Sequence, residues 1–145
     1  MVKSMFQMVS DVMTKDVVSV SEDQDLVNLL ESMRGMHFRH TPVTDDGRLV
    51  GLLTERDLLR VSSSSLLPHR DSDEFLKQRF HVRDVMTKDV ATVSPSATLK
   101  QAGELMVQKR IGCLPVVDAK NVLVGIITTT DVLKVAISLL SDAAP

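Results

Sequence analysis

The sequence has no tryptophan, no tyrosine, four phenylalanines and one cysteine, Cys113, among 145 residues. Each scarcity narrows the function. So few aromatic rings leave no stacking platform for single-stranded nucleic acid. A net charge of −2 and a pI near 6.1, with no basic run, leave no electrostatic footprint for nucleic acid either. A lone cysteine cannot build a disulfide framework, which points to a reducing, cytoplasmic setting. The start holds no apolar stretch long enough for a signal peptide. The apolar run from Val132 to Leu140 is too short to span a bilayer and is broken by Lys134, so no membrane segment is expected. What remains is a chain with 43% apolar and 25% charged residues, enough for an ordinary globular core.

The dominant feature is internal repetition. Asp11-Val12-Met13-Thr14-Lys15-Asp16-Val17 recurs as Asp84-Val85-Met86-Thr87-Lys88-Asp89-Val90. The correspondence continues through Val20-Ser21 with Val93-Ser94, Leu26 with Leu99, Met33 with Met106 and Pro42-Val43 with Pro115-Val116. After one inserted residue in the second copy, Gly51-x-x-Thr54-x-x-Asp57 matches Gly125-x-x-Thr128-x-x-Asp131. Two copies of about fifty residues are too few for a solenoid, but they suit a two-fold pair in which each half buries the other's apolar face.

Each copy reads as β-α-β-β-α. Val17 to Val20 is a β-branched strand. Ser21-x-x-Gln24 is expected to cap a helix with the stripe Leu26, Leu29, Leu30, Met33, ended by Gly35. The second copy is expected to open that helix at Ser94-Pro95. A strand around His40 to Thr44, the turn Asp45-Asp46-Gly47 and a return strand Leu49 to Leu53 form a hairpin, and Thr54 starts a second helix. The fold class is therefore α/β (α+β), with copies at 9–61 and 82–140 and a connection at 62–81. That connection reads as a surface loop leading into a short helix, Phe75 to Phe80. It is either a tether or a lid that brings His69 and Arg70 to a ligand's phosphates.

An apolar-Pro-Val-x-Asp strand followed by Gly-apolar-apolar-Thr-x-x-Asp resembles the CBS domain. The residues that carry the resemblance are Thr41-Pro42-Val43-Thr44-Asp45 with Gly51 to Asp57, and Leu114-Pro115-Val116-Val117-Asp118 with Gly125 to Asp131. Phe38-Arg39-His40 is a familiar variant of the lead into that strand. The resemblance implies a tandem pair, or Bateman module, packed by pseudo-two-fold symmetry with two clefts between the copies. It further implies a regulatory rather than catalytic role and a homodimer formed through helices. With no effector domain in the sequence, the output is expected through a separate partner protein. The implied ligand is an adenine nucleotide (AMP, ADP or ATP), with S-adenosylmethionine or NAD as the alternative. A structural or protein-interaction module with empty clefts is the competing function.

The resemblance also assigns candidate residues. Asp57 and Asp131 would accept hydrogen bonds from ribose hydroxyls, a task suited to an acceptor-only carboxylate. Thr54 and Thr128 sit where helix N-termini offer free N–H groups to an anion. Thr-x-x-Asp is equally a good helix cap in its own right, and the two roles can coexist. Val17 and Val18 with Phe38 would make one base slot, and Val90 and Ala91 with Ile111 the other; core positions explain the same side chains. Cross-assembly would set Thr14, Asp16, Val17, Val18, Phe38, Arg39 and His40 against Thr128, Thr130 and Asp131. The reciprocal site would set Thr87, Lys88, Asp89, Val90, Ala91, Ile111, Gly112 and Cys113 against Thr54 and Asp57. Arg39 and Arg56 favour a polyphosphate or are solvated charges. No required cofactor, metal site or catalytic residue is expected: His37 and His40 have no completing ligands, and Cys113 has no paired base and reads as a small buried hydrophobe. The C-terminal helix, apolar nearly all round, is expected to bury more than one side and to help form the dimer.

Overall fold

Two antiparallel hairpins carry the fold, one from each repeat, in a computed structural model that describes residues 8–32, 40–62 and 80–143. In the first repeat, α1 (Val9–Val12) precedes β1 (Val20–Ser21), α2 (Leu26–Ser32), β2 (His40–Asp45), β3 (Arg48–Thr54) and α3 (Glu55–Ser62). In the second, α4 (Val82–Val85) precedes α5 (Leu99–Lys109), β4 (Cys113–Val117), β5 (Leu123–Thr128) and α6 (Thr129–Ala143). β1 runs parallel to β2, and the second repeat keeps only the matching parallel bridge Val93–Val116. Both hairpins break register at the same place, between Val43 and Thr44 and between Val116 and Val117. The expected β-α-β-β-α order and α+β class are present.

The turns explain the one inserted residue. Asp46 and Gly47 both take positive φ, 52° and 83°, which the tight hairpin turn requires and which Asp-Gly tolerates. The second hairpin is longer. Asp118 Oδ1 accepts the Lys120 and Val122 N–H groups, and Asn121 takes the left-handed conformation at φ 64°.

Three local expectations are corrected. The strand expected at Val17 to Val20 is only Val20–Ser21, because among the described residues no strand pairs with the backbone of Val17 to Ser19. Ser21 does not cap a helix: its hydroxyl accepts the Asp23 N–H within a turn, and α2 starts at Leu26. Ser94-Pro95 likewise forms a turn, closed by the Ala97 N–H on the Ser94 carbonyl. The cap of α5 is Thr98, whose hydroxyl accepts the Gln101 N–H while Gln101 Oε1 accepts the Thr98 N–H. Asp, Asn, Ser and Thr compete for such local bonds, so several adjacent positions look alike in sequence. His69, Arg70 and residues 75–79 lie outside the described residues; Phe80 is half-buried and outside any helix.

The compact units are not the two repeats. One is Val18–Val90; the other joins the described residues up to Val17 with those from Ala91 onward. Each repeat therefore lends its leading arm to the body of the other. Val9 is fully buried among Ala102, Met106, Leu114, Val116 and Ile127. Val82, its counterpart, is fully buried among Leu26, Leu29, Val43, Leu53 and Leu58. Burying a valine fully contributes about 1.5–3 kcal/mol, so each arm is anchored by its own apolar residue. The arm helices are capped alike: Asp11 Oδ2 accepts the Met8 N–H and Asp84 Oδ2 the His81 N–H.

Candidate nucleotide sites at the two Thr-x-x-Asp corners

The heptapeptide that opens each repeat ends against the last strand of the other hairpin. Thr14 exchanges both backbone hydrogen bonds with Ile126, at 2.9 and 3.0 Å. Thr87 does the same with Leu52, at 2.8 and 2.9 Å. Two residues beyond Leu52 and Ile126 the strands end at Thr54 and Thr128, where α3 and α6 begin. Each arm is thereby delivered to a Thr-x-x-Asp corner, and an arm passing this closely is why Gly51 and Gly125 precede those corners.

The corners are reciprocal caps. Thr54 N–H donates to Asp57 Oδ2 at 3.0 Å and Asp57 N–H to Thr54 Oγ1 at 3.1 Å. In the second corner Thr128 N–H donates to Asp131 Oδ2 at 2.9 Å, Thr128 O–H to the same oxygen at 3.1 Å, and Asp131 N–H to Thr128 Oγ1 at 3.4 Å. The capping role is thus filled at both corners. Asp57 is 5% exposed and takes a further hydrogen bond from the Thr87 hydroxyl at 3.2 Å. Asp131 is half-buried.

The remaining candidates divide between the two units. In the Val18–Val90 unit, half-buried His40 pairs in register with Thr54, half-buried Val90 follows the exposed Lys88 and Asp89, and Arg56 is exposed. Val18 is 77% exposed. In the other unit, Thr14, Asp16 and Thr130 are exposed and Val17, Ala91 and Ile111 half-buried. Ile111 to Cys113 lie beside the corner of their own repeat: Cys113 pairs in register with Thr128, and the Gly112 carbonyl accepts the Thr129 N–H at 3.0 Å. Phe38, Arg39 and His37 lie outside the described residues. No cluster of three metal-ligating side chains occurs among the described residues, nor any helix long and apolar enough to cross a membrane. Cys113 is 4% exposed, and burial, with a smaller contribution from the Asp131 charge, pushes its thiol up to about 12. It is therefore a protonated core side chain.

The roles of Met13, Met86, Gly51 and Gly125 were not assigned from sequence. The signal was present, since these residues are identical in both copies, but the contact joins different repeats.

The family model for the CBS domain matches residues 9–64 and again 82–138. The chain belongs to the CBS-domain family. A CBS domain-containing protein of Dictyostelium discoideum is 32% identical over 140 residues, covering 95% of this chain and 97% of that protein. The crystal structure of CBSX2 in complex with AMP, a CBS-pair protein known from Arabidopsis thaliana, superposes with a TM-score of 0.75 at 28% identity, covering 91% of this chain and 97% of that one. The cytosolic domain of the Mg2+ channel MgtE in complex with ATP gives 0.70 at 28% identity, covering 89% of this chain and 48% of that one. Other relatives are much longer: the CBS pair spans only 22% of an inosine-5'-monophosphate dehydrogenase from Methanocaldococcus jannaschii, 34% identical over 125 residues.

Proposed function

We propose that this CBS pair is a regulatory module that binds an adenine nucleotide at its Thr-x-x-Asp corners and reports it to a separate protein in the cytoplasm. The observation that carries this reading is the delivery of each arm to a corner whose acid sits one turn into a helix, in a chain similar to an AMP complex and an ATP complex. Asp57 and Asp131 accept the ribose hydroxyls, Thr54 and Thr128 present the helix N-termini to phosphate, and Arg56 favours a polyphosphate. The half-buried Val17, Val90, Ala91 and Ile111 offer aliphatic surface to the base. Reporting requires that the ligand prefer one conformation of the arm, since only differential affinity shifts an equilibrium. No catalytic role is assigned.

The module acts as a homodimer through α6. Leu133, Ile137 and Leu140 are 60%, 60% and 71% exposed, one stripe along the helix. That stripe is the second side of α6, which the dimer would cover. Within the chain α6 buries Val135 and packs Val132 on the core, because α5 covers a single face. A groove of about 770 Å³ lies between α5 and α6, lined by Leu99, Val132, Val135 and Leu139 among others.

The complete caps favour a second reading, an interaction module whose corners stay closed to ligands. Calorimetric titration with AMP, ADP, ATP, NAD and S-adenosylmethionine separates the two. The nucleotide sensor binds at least one with micromolar affinity, weakened by Asp57→Ala or Asp131→Ala. Silence toward all five leaves the interaction module.

A further inference from the structure

The two heptapeptides are chemically identical, yet their backbones differ. Asp89 takes the left-handed conformation at φ 52°, whereas Asp16 is not among the residues of positive φ. In the arm of the first repeat the turn is closed instead by the Val17 N–H on the Lys15 carbonyl at 3.0 Å. Identical residues cannot cause this difference, so the surroundings do.

The surroundings differ at the acids. Thr87 Oγ1 lies 3.2 Å from Oδ2 and 3.4 Å from Oδ1 of Asp57. Among the described residues Thr14 makes no such bond to Asp131. Asp131 uses Oδ2 for its own cap, and among the described residues no hydrogen bond reaches its Oδ1. Asp57 is closed over at 5% exposure while Asp131 keeps a half-buried approach. A threonine hydroxyl on a carboxylate is the same donor–acceptor pair that a sugar hydroxyl would make. With the acid buried, the two compete for one edge.

We infer that Thr87 latches the Asp57 corner. Its hydroxyl holds the carboxylate edge that a ligand's vicinal diol would take, so the Asp131 corner fills first. The Asp57 corner fills only when Thr87 lets go and the arm that carries Asp89 relaxes. The two corners thus answer different concentrations of one ligand. The latch rests on the proposed nucleotide sites and adds their order of filling.

The test is calorimetric titration of AMP into the Asp131→Ala protein, in which Asp57 is the acid that remains. Thr87→Val keeps the side-chain shape and removes the competing hydroxyl, and it is expected to tighten AMP about 3- to 10-fold, the worth of one ordinary hydrogen bond. Thr87→Ser restores the hydroxyl and is expected to restore the weaker binding. A second measurement needs no substitution: in the intact protein, amide resonances of Thr14–Val17 should move in the first phase of an AMP titration and those of Thr87–Val90 in the second. AMP that binds Thr87→Val no more tightly, or arms that respond in the reverse order, would overturn the latch and leave the nucleotide sites standing. Failure of AMP, ADP and ATP to bind any variant overturns both.

Discussion

A β-carbon added to Gly51 would stand 2.5 Å from the sulfur of Met86 and 2.9 Å from the Thr87 carbonyl oxygen. Gly125 has the same relationship to Met13, at 2.6 Å, and to the Thr14 carbonyl, at 2.9 Å. The thioether can move, but the carbonyl belongs to a backbone bridged to the strand. Gly51→Ala and Gly125→Ala are therefore expected to destabilise the chain by about 1–3 kcal/mol through overpacking. Gly103→Ala is the control. It lies inside α5 with nothing nearer than 4.0 Å, and it should stabilise by about 0.4–1 kcal/mol. Urea unfolding midpoints of the three variants check both signs.

The caps make a separate claim on stability. Thr54→Ala and Thr128→Ala each remove the side-chain acceptor for the aspartate N–H, and each should cost about 0.5–2 kcal/mol. Thermal unfolding without ligand measures this cost apart from any effect on binding. An unchanged melting temperature in both variants would contradict the caps.

Cys113 gives the pH dependence. Its thiol is raised from 9.0 to about 12 in the folded chain, first by burial and then by Asp131. Between those values the unfolded thiol has lost its proton while the folded one retains it, so the unfolded state binds fewer protons and stability falls as pH rises. The contribution is fully present below pH 9. The stability difference between the intact protein and Cys113→Ala should therefore shrink from pH 9 upward, read by urea midpoints. At pH 8 a thiol reagent should label Cys113 only on unfolding; rapid labelling of the folded chain would contradict its burial.

The α6 stripe predicts an assembly. Leu133→Glu and Ile137→Glu place charge on residues already 60% exposed, so the folded monomer should lose little stability. Sedimentation at micromolar concentration should show a dimer for the intact chain and a monomer for the double variant. A monomer in both would remove the dimer.

The repeat made the architecture legible, because the Pro-Val strands recur in both copies and the Asp46-Gly47 turn of the first answers to a local rule, while the second copy turns on Asp118 and Asn121 instead. The corners were legible too, but as two readings at once. Thr-x-x-Asp is both a cap and a ligand grip, and local chemistry cannot separate them. The starts of α2 and α5 fall one turn later than the sequence pattern predicts, since Ser21, Asp25, Ser94 and Thr98 all offer capping oxygens and tertiary packing of Leu26 and Leu99 chose among them. The exchange of arms is long-range. Nothing within either repeat says that Val9 is buried under the second hairpin or Val82 under the first, and the Asp89 backbone departs from Asp16 for the same reason.

Native mass spectrometry of the purified chain with added AMP tests the central claim most directly. The intact protein should carry AMP, and the double variant Asp57→Ala/Asp131→Ala should remain folded and carry none. Equal AMP occupancy in both proteins would contradict the account, because the ribose would then be held by something other than the two acids.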